Sequence, residues 1–200
     1  MINKEFINEI RKAIASANIN ILIGSGASRP FLDVLADIES KLDKAERNKD
    51  IDTEVEVKSE YFKKCIEGNL ELFKNNMDQN AKDVLTNYEE FYKAINYILL
   101  RREDSLLTKQ VNVFTTNIDI FSEKALENTQ LEFNDGFSGR FELVYDNGNY
   151  NKSYFKKSLH YENTSEIPIF NLLKLHGSVS WKREGDKIFL DKELSLLKTV

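Results

Sequence analysis

Three short stretches of this 200-residue chain gather groups able to do chemistry: "GSGAS" at Gly24 to Ser28, "TTNID" at Thr115 to Asp119, and "KLHGS" at Lys174 to Ser178. In the first, two of only eight glycines stand two residues apart, directly after the apolar run Ile19 to Ile23. Small residues leave backbone N–H groups uncovered, and a helix starting just beyond them adds the positive end of its dipole. Gly24, Ser25, Gly26, Ala27 and Ser28 are therefore candidates for holding a phosphate or diphosphate. An ordinary glycine turn between strand and helix is the competing use. The stretch is not a P-loop, since no Gly-Lys-Ser/Thr follows, and Arg29 stands where a full GxGxxG fingerprint needs its third glycine.

"TTNID" packs two hydroxyls, a carboxamide and a carboxylate into five residues. Thr115, Thr116, Asn117 and Asp119 can hold a ribose and a carboxamide through directed hydrogen bonds, while capping of a following helix by Asn117 or Asp119 is the alternative. His176 is one of two histidines. At the end of an apolar strand it is a candidate general base, with a purely structural histidine as the other reading. His160, in the polar "SLHYEN", reads as a surface residue.

Ligands of an open α/β sheet gather beyond the carboxyl ends of its strands, so the elements ahead of the three stretches decide whether they meet. "NINILIG", "QVNVFTT" and "IPIFNLLKLHG" each read as a buried strand, and "FSEKALE" after the second reads as a helix with Phe121, Ala125 and Leu126 inward. Residues 2 to 17 carry Ile2, Phe6, Ile7, Ile10 and Ile14 on one helical stripe. Ser28 as N-cap and Pro30 in the first turn predict a helix over "FLDVLADIESKLDKAER". The charge-dense stretch from Lys41 to about Val57 reads as a mobile loop or exposed helix end. Helical periodicity returns over 58–74 and 80–102, the latter with Tyr88, Phe91, Tyr92, Ile95, Ile98 and Leu99. Residues 41–105, roughly, form a helical insertion. Short β pieces fill 131–161, and a hairpin turns at Glu184-Gly185-Asp186. The expectation is one α/β domain over 1–200 with a parallel sheet, ending on "KELSLLKTV" as an unfinished apolar helix that leaves the domain C-terminally incomplete.

Bulk properties narrow the partners. With 28 Lys and Arg against 33 Asp and Glu the net charge is -5, which repels a polyanion. The only basic cluster, "NKSYFKK" at Asn151 to Lys157, reads as a solvated loop or strand edge, so nucleic acid is not an expected partner. Cys65 is alone and can neither close an intramolecular disulfide nor build a cysteine zinc site, which suits a reducing compartment. The N-terminus is charged throughout, unlike a signal peptide, and no apolar run approaches the roughly 20 residues of a membrane span. Cytoplasmic location, with no membrane partner, is expected.

In order and content the three stretches resemble the sirtuin superfamily, which pairs a Gly-Ala-Gly-like loop with a Thr-Gln-Asn-Ile-Asp-like motif and a later catalytic His-Gly. The resemblance spans Ile19 to Trp181. It implies a Rossmann-like NAD-binding fold, a parallel sheet with helices on both faces and a helical insertion. In that reading Gly24 to Ser28 hold the diphosphate, Thr115 and Thr116 belong to the nucleotide pocket, Asn117 orients the ribose hydroxyls or attacking water, Asp119 engages the carboxamide, and His176 is the base. Departures shape the expectation. No cysteine follows Cys65, so the four-cysteine zinc ribbon of protein deacylases is excluded by ligand count and no metal is expected. "RPFLDVLADIE" replaces the Gly-Ile-Pro-Asp-Phe-Arg-like continuation of the deacylase cofactor loop. "TTN" and "HGSVSW" look more like the bacterial sirtuin-like branch of anti-phage defence. That branch implies an NAD+ hydrolase, with NAD+ as substrate, acting in abortive infection as a homo-oligomer, with a HerA-like partner ATPase or a phage-sensing protein. A zinc-free NAD-dependent deacylase and a non-catalytic NAD-binding or nucleotide-binding subunit are the alternatives.

Overall fold

The computed structural model describes residues 3–33, 38–102, 107–159 and 163–198. Ile2, His160 and part of the expected 41–105 insertion lie outside the described residues. Asn3 caps the first helix, α1 (Lys4–Ser16), by accepting the Glu5 N–H at 3.0 Å. The apolar run becomes β1 (Ile19–Ile23). No α-helix starts at Ser28. A single 3-10 turn spans Ser25–Ser28, and Arg29 is extended at φ -78 and ψ 149. A residue that precedes proline is pushed out of the α region by the ring, so Pro30 interrupts the helix its position was expected to start.

The charge-dense stretch is helical and not a loop: α2 (Ile38–Asn48) and α3 (Ile51–Tyr61). Local polar bonds in and just beyond it accompany the buried Ala45 and Val57. Asp50 accepts the Thr53 N–H at 3.1 Å and the Thr53 hydroxyl at 2.7 Å, and Glu60 pairs with Lys64 one turn away at 2.7 Å. A π-turn at Phe62–Ile66 leads into α4 (Gly68–Phe73), and α5 (Gln79–Leu100) starts where Asp78 accepts the Ala81 N–H at 2.7 Å. Helices α2 to α5 thus stand between the first two strands, as the periodicity of 58–102 predicts in part. Ile38, Val57 and Cys65 make a small apolar cluster of their own.

The rest of the chain supplies β2 (Gln110–Thr115), α6 (Phe121–Asn128), β3 (Phe133–Asn134), β4 (Phe137–Ser138) and β5 (Val144–Tyr145). Beyond them lie β6 (Phe155–Lys157), β7 (Thr164–Glu166), β8 (Ile169–Lys174), β9 (Trp181–Glu184) and β10 (Lys187–Leu190). Four strands form a parallel sheet in the order β1-β2-β8-β3, with Ile21 beside Val113 and Val113 beside Leu172. A second, antiparallel sheet has the order β4-β5-β10-β9 and contains the expected hairpin at Gly185 and Asp186. The β6–β7 pair carries the basic cluster on a solvent-exposed strand. After β10 the chain makes a 3-10 turn at Ser195–Lys198 in place of the expected helix, and Leu194 ahead of it is buried in the main core.

The two faces of the parallel sheet differ. Val111, Val113, Phe170 and Leu172 share one face, where α5 and α6 bury their aromatic side chains. Tyr92 meets Phe170 edge-on at 5.3 Å, and Tyr88 stacks on Phe121 at 5.5 Å. On the other face Asn20, Asn112, Asn171 and Asn134 stand in register across all four strands. The Asn171 amide donates to Asn112 at 3.0 Å, and Asn112 donates to Asn20 at 2.9 Å. The protein is thus a mixed α/β fold around a four-stranded parallel sheet. Among the described residues no helix is long and apolar enough to cross a membrane.

Candidate functional site

Strand order sets the carboxyl ends of β1, β2 and β8 side by side, and backbone hydrogen bonds continue past the strands to lace the three loops together. The Thr116 N–H donates to the Ile23 carbonyl at 3.4 Å, Leu175 N–H to the Thr115 carbonyl at 2.9 Å, and Val179 N–H to the Ile118 carbonyl at 2.9 Å. Thr115 is a brace within this lacing and not a ligand-facing group. Its buried hydroxyl donates to the Ile23 carbonyl and accepts the Asn117 N–H, both at 3.0 Å. Gly177, just after His176, has a φ of 78, a left-handed conformation that suits glycine and turns the chain back under the site.

A small cavity of about 80 Å³ lies where the loops meet, its polar side formed by Ser25, Ser28, Thr116, Asn117, Asp119 and His176 and its apolar side by Leu32, Tyr61, Cys65 and Ile118. All three sequence motifs contribute to it. Asn117 is buried and its amide nitrogen has three acceptors: the Gly24 carbonyl at 3.2 Å, Ser28 Oγ at 3.3 Å and Tyr88 Oη at 3.3 Å. A backbone carbonyl can only accept, so the NH2 end must face Gly24, which settles which way the amide points. Its Oδ1 is then a buried acceptor with no donor. Such groups are rare in folded chains and call for a partner.

Asp119 is buried at the cavity wall. Its Oδ2 accepts from Ser28 Oγ at 2.7 Å, and its Oδ1 accepts the Phe121 N–H at 3.1 Å at the start of α6. The carboxylate therefore serves the helix start and the glycine loop together. Since the single Ser28 proton goes to Asp119, the 3.1 Å contact between Ser28 Oγ and Tyr88 Oη has the tyrosine as donor. Burial, then the nearby Asp119 charge, pushes the Tyr88 phenol well above its ordinary range and keeps it a neutral donor. His176 is exposed at the mouth of the same cavity.

Gly24, Gly26 and Ala27 face the other way, onto an open apolar groove of about 520 Å³ shared with Ile21, Leu22, Tyr88 and Phe91. Neither glycine has a positive φ, and a Cβ added at either would meet nothing within 4 Å. Turn geometry and internal packing therefore leave both glycines unexplained; their effect is to keep backbone bare toward open space. The helix dipole expected behind this loop is missing, because a single 3-10 turn stands in the helix's place.

Below the cavity lies Lys174, its side chain only 3% exposed. Its Nζ donates to the Asp119 carbonyl, to Ser178 Oγ at 3.0 Å and to the Glu123 carboxylate at 2.7 Å. Burial pushes the Glu123 carboxyl up, against the downward pull of Lys174. In the sequence Tyr88 is one member of a helical stripe, and Lys174 heads the "KLHGS" stretch without a role of its own. Only the alternation of "IFNLLK" could have signalled Lys174, since it sets this residue on the inward face with Phe170 and Leu172. Among the described residues no group of three or more His, Cys, Asp or Glu is placed to hold a metal ion. No protein-family model matches the chain, and no curated protein matches it.

Proposed function

We propose that the chain is an NAD+ hydrolase that cleaves the bond between nicotinamide and ribose at the cavity bordered by Asn117, Asp119 and His176. The observation that carries this reading is the unpartnered Asn117 Oδ1, a fixed buried acceptor at the meeting point of three motifs. The donor it lacks is a water molecule or, once the cavity opens to this atom, a ribose hydroxyl. For the diphosphate, Gly24 and Gly26 leave backbone without side chains in the way, while the Ala27 N–H is already given to the Gly24 carbonyl at 3.0 Å. The bond to be broken releases nicotinamide as a neutral leaving group and puts positive charge on the ribose, so the site has to orient and desolvate more than it has to activate. Asn117 orients, Asp119 fixes the glycine loop through Ser28 and places its negative charge beside the cavity, and His176 at the mouth takes the proton from water.

The finer fold in this reading is Rossmann-like, which a parallel sheet with a cavity at its strand ends supports, although β1 stands at the sheet edge and not inside it. The biological role, an abortive-infection effector working in the cytoplasm as a homo-oligomer beside a HerA-like ATPase or a phage sensor, rests on the motif resemblance alone. Nicotinamide release from NAD+ by the purified chain is the test, run beside Asn117→Ala and His176→Ala. Turnover that drops about 100-fold or more in each variant, with the folded state kept, is the expected result. Turnover unchanged in both variants would remove the site from the reaction.

A further inference from the structure

The peptide unit joining Asp119 to Ile120 is held from both sides by buried side chains of other elements. Its carbonyl accepts from Lys174 on β8, and its N–H donates to Asn69 Oδ1 on α4 at 3.1 Å. Asn69 is itself fixed, because its amide donates to the Ile66 carbonyl at 2.9 Å. An ammonium has three protons, and those of Lys174 have three acceptors on three different segments: the Asp119 loop, Ser178 in the loop after His176, and Glu123 on α6. Ser178 Oγ also lies 3.3 Å from the Ile118 carbonyl, closing the link between the two loops. Strand alternation leaves Lys174 no other direction, since it continues the inward row of Phe170 and Leu172.

We infer that Lys174 is a positioning residue for the hydrolase site: with Asn69 it sets the Asp119 peptide plane, and through Ser178 it holds the His176 loop in register with it. The inference rests on the NAD+ hydrolase reading and deepens it. Lys174 touches no cavity-lining side chain of the glycine loop, so its removal should disturb alignment of the reacting groups and leave capture of the nucleotide in place. Misplacement by about 1 Å costs on the order of 100-fold in rate.

The experiment is steady-state nicotinamide release by the wild type, Glu123→Gln, Lys174→Met and the double variant Lys174→Met/Glu123→Gln. The double variant is the decisive one, because it leaves no unpaired buried charge and so restores the fold that the single lysine change endangers. Expected is a double variant melting close to the wild type, with KM within about twofold and kcat lowered roughly 10-fold to 100-fold. Glu123→Gln, which keeps an oxygen for Lys174, should retain turnover within about twofold. A double variant that regains wild-type kcat along with its stability would show that the lysine is structural only and overturn the inference. Absence of turnover in the wild type is a separate outcome, which overturns the hydrolase reading itself and this inference with it.

Discussion

The single residues of the candidate site divide into those whose types announce themselves and those that only packing brings in. Asn117, Asp119 and His176 can be picked out because polar groups at the end of an apolar strand need a reason to be there. Tyr88 cannot, since a tyrosine in a helical apolar stripe looks like any core aromatic, and its hydroxyl reaches Ser28 and Asn117 only across 60 and 29 residues of chain. Burial raises the phenols of Tyr88 and Tyr92 above the ordinary 10.0. A raised pKa lends stability that is complete below the unfolded value and is lost as pH climbs toward the folded one. Thermal melts should therefore fall steadily above about pH 10. Tyr88→Phe, which keeps the ring on Phe121, should flatten that slope, and an unchanged slope would contradict it. Gly26→Ala gives the opposite kind of test. Open space around the added methyl predicts a melting temperature within a few degrees of the wild type. Binding of NAD+, measured by calorimetry, should weaken at least about tenfold if the bare backbone holds the diphosphate; unaltered binding would mean that it does not.

At the level of elements, the three site strands are legible in full, because apolar runs ending in small polar residues have few other uses. The chain after the glycine loop is not. Ser28 and Pro30 both suit a helix start, yet the clash of a proline ring with the residue before it acts on Arg29 and favours a single 3-10 turn. The stretch from Lys41 to Val57 reads as a mobile loop or exposed helix end for want of a large apolar stripe, whereas Asp50 caps one of two helices there and Val57 packs with Ile38 and Cys65. The element-level consequence of the site is the tie between β8 and α6. Lys174→Met leaves the half-buried Glu123 without its cation, and a loss of about 2 kcal/mol in denaturant unfolding is expected. Adding Glu123→Gln should recover most of it. A single variant as stable as the wild type would mean that the pair contributes nothing to the fold.

Across the whole molecule, the parallel order β1-β2-β8-β3 accounts for most of the design, since it alone sets three loops far apart in sequence around one cavity. Sequence pattern can name the strands and not their order, and the order is what turns three weak motifs into one site. The row of asparagines across the sheet's second face is also invisible in the sequence, because register is a property of pairing and not of any one strand. Leu22 on that face is 73% exposed at the β1 edge, an apolar side chain for which the described residues provide no cover. Whether the proposed hydrolysis of NAD+ takes place at this cavity is decided by product analysis in heavy-oxygen water. The expected products are nicotinamide and ADP-ribose in equal amounts, the ADP-ribose carrying one oxygen from solvent and both products lowered about 100-fold or more with His176→Ala. Bound NAD+ recovered intact from the wild-type protein would contradict it.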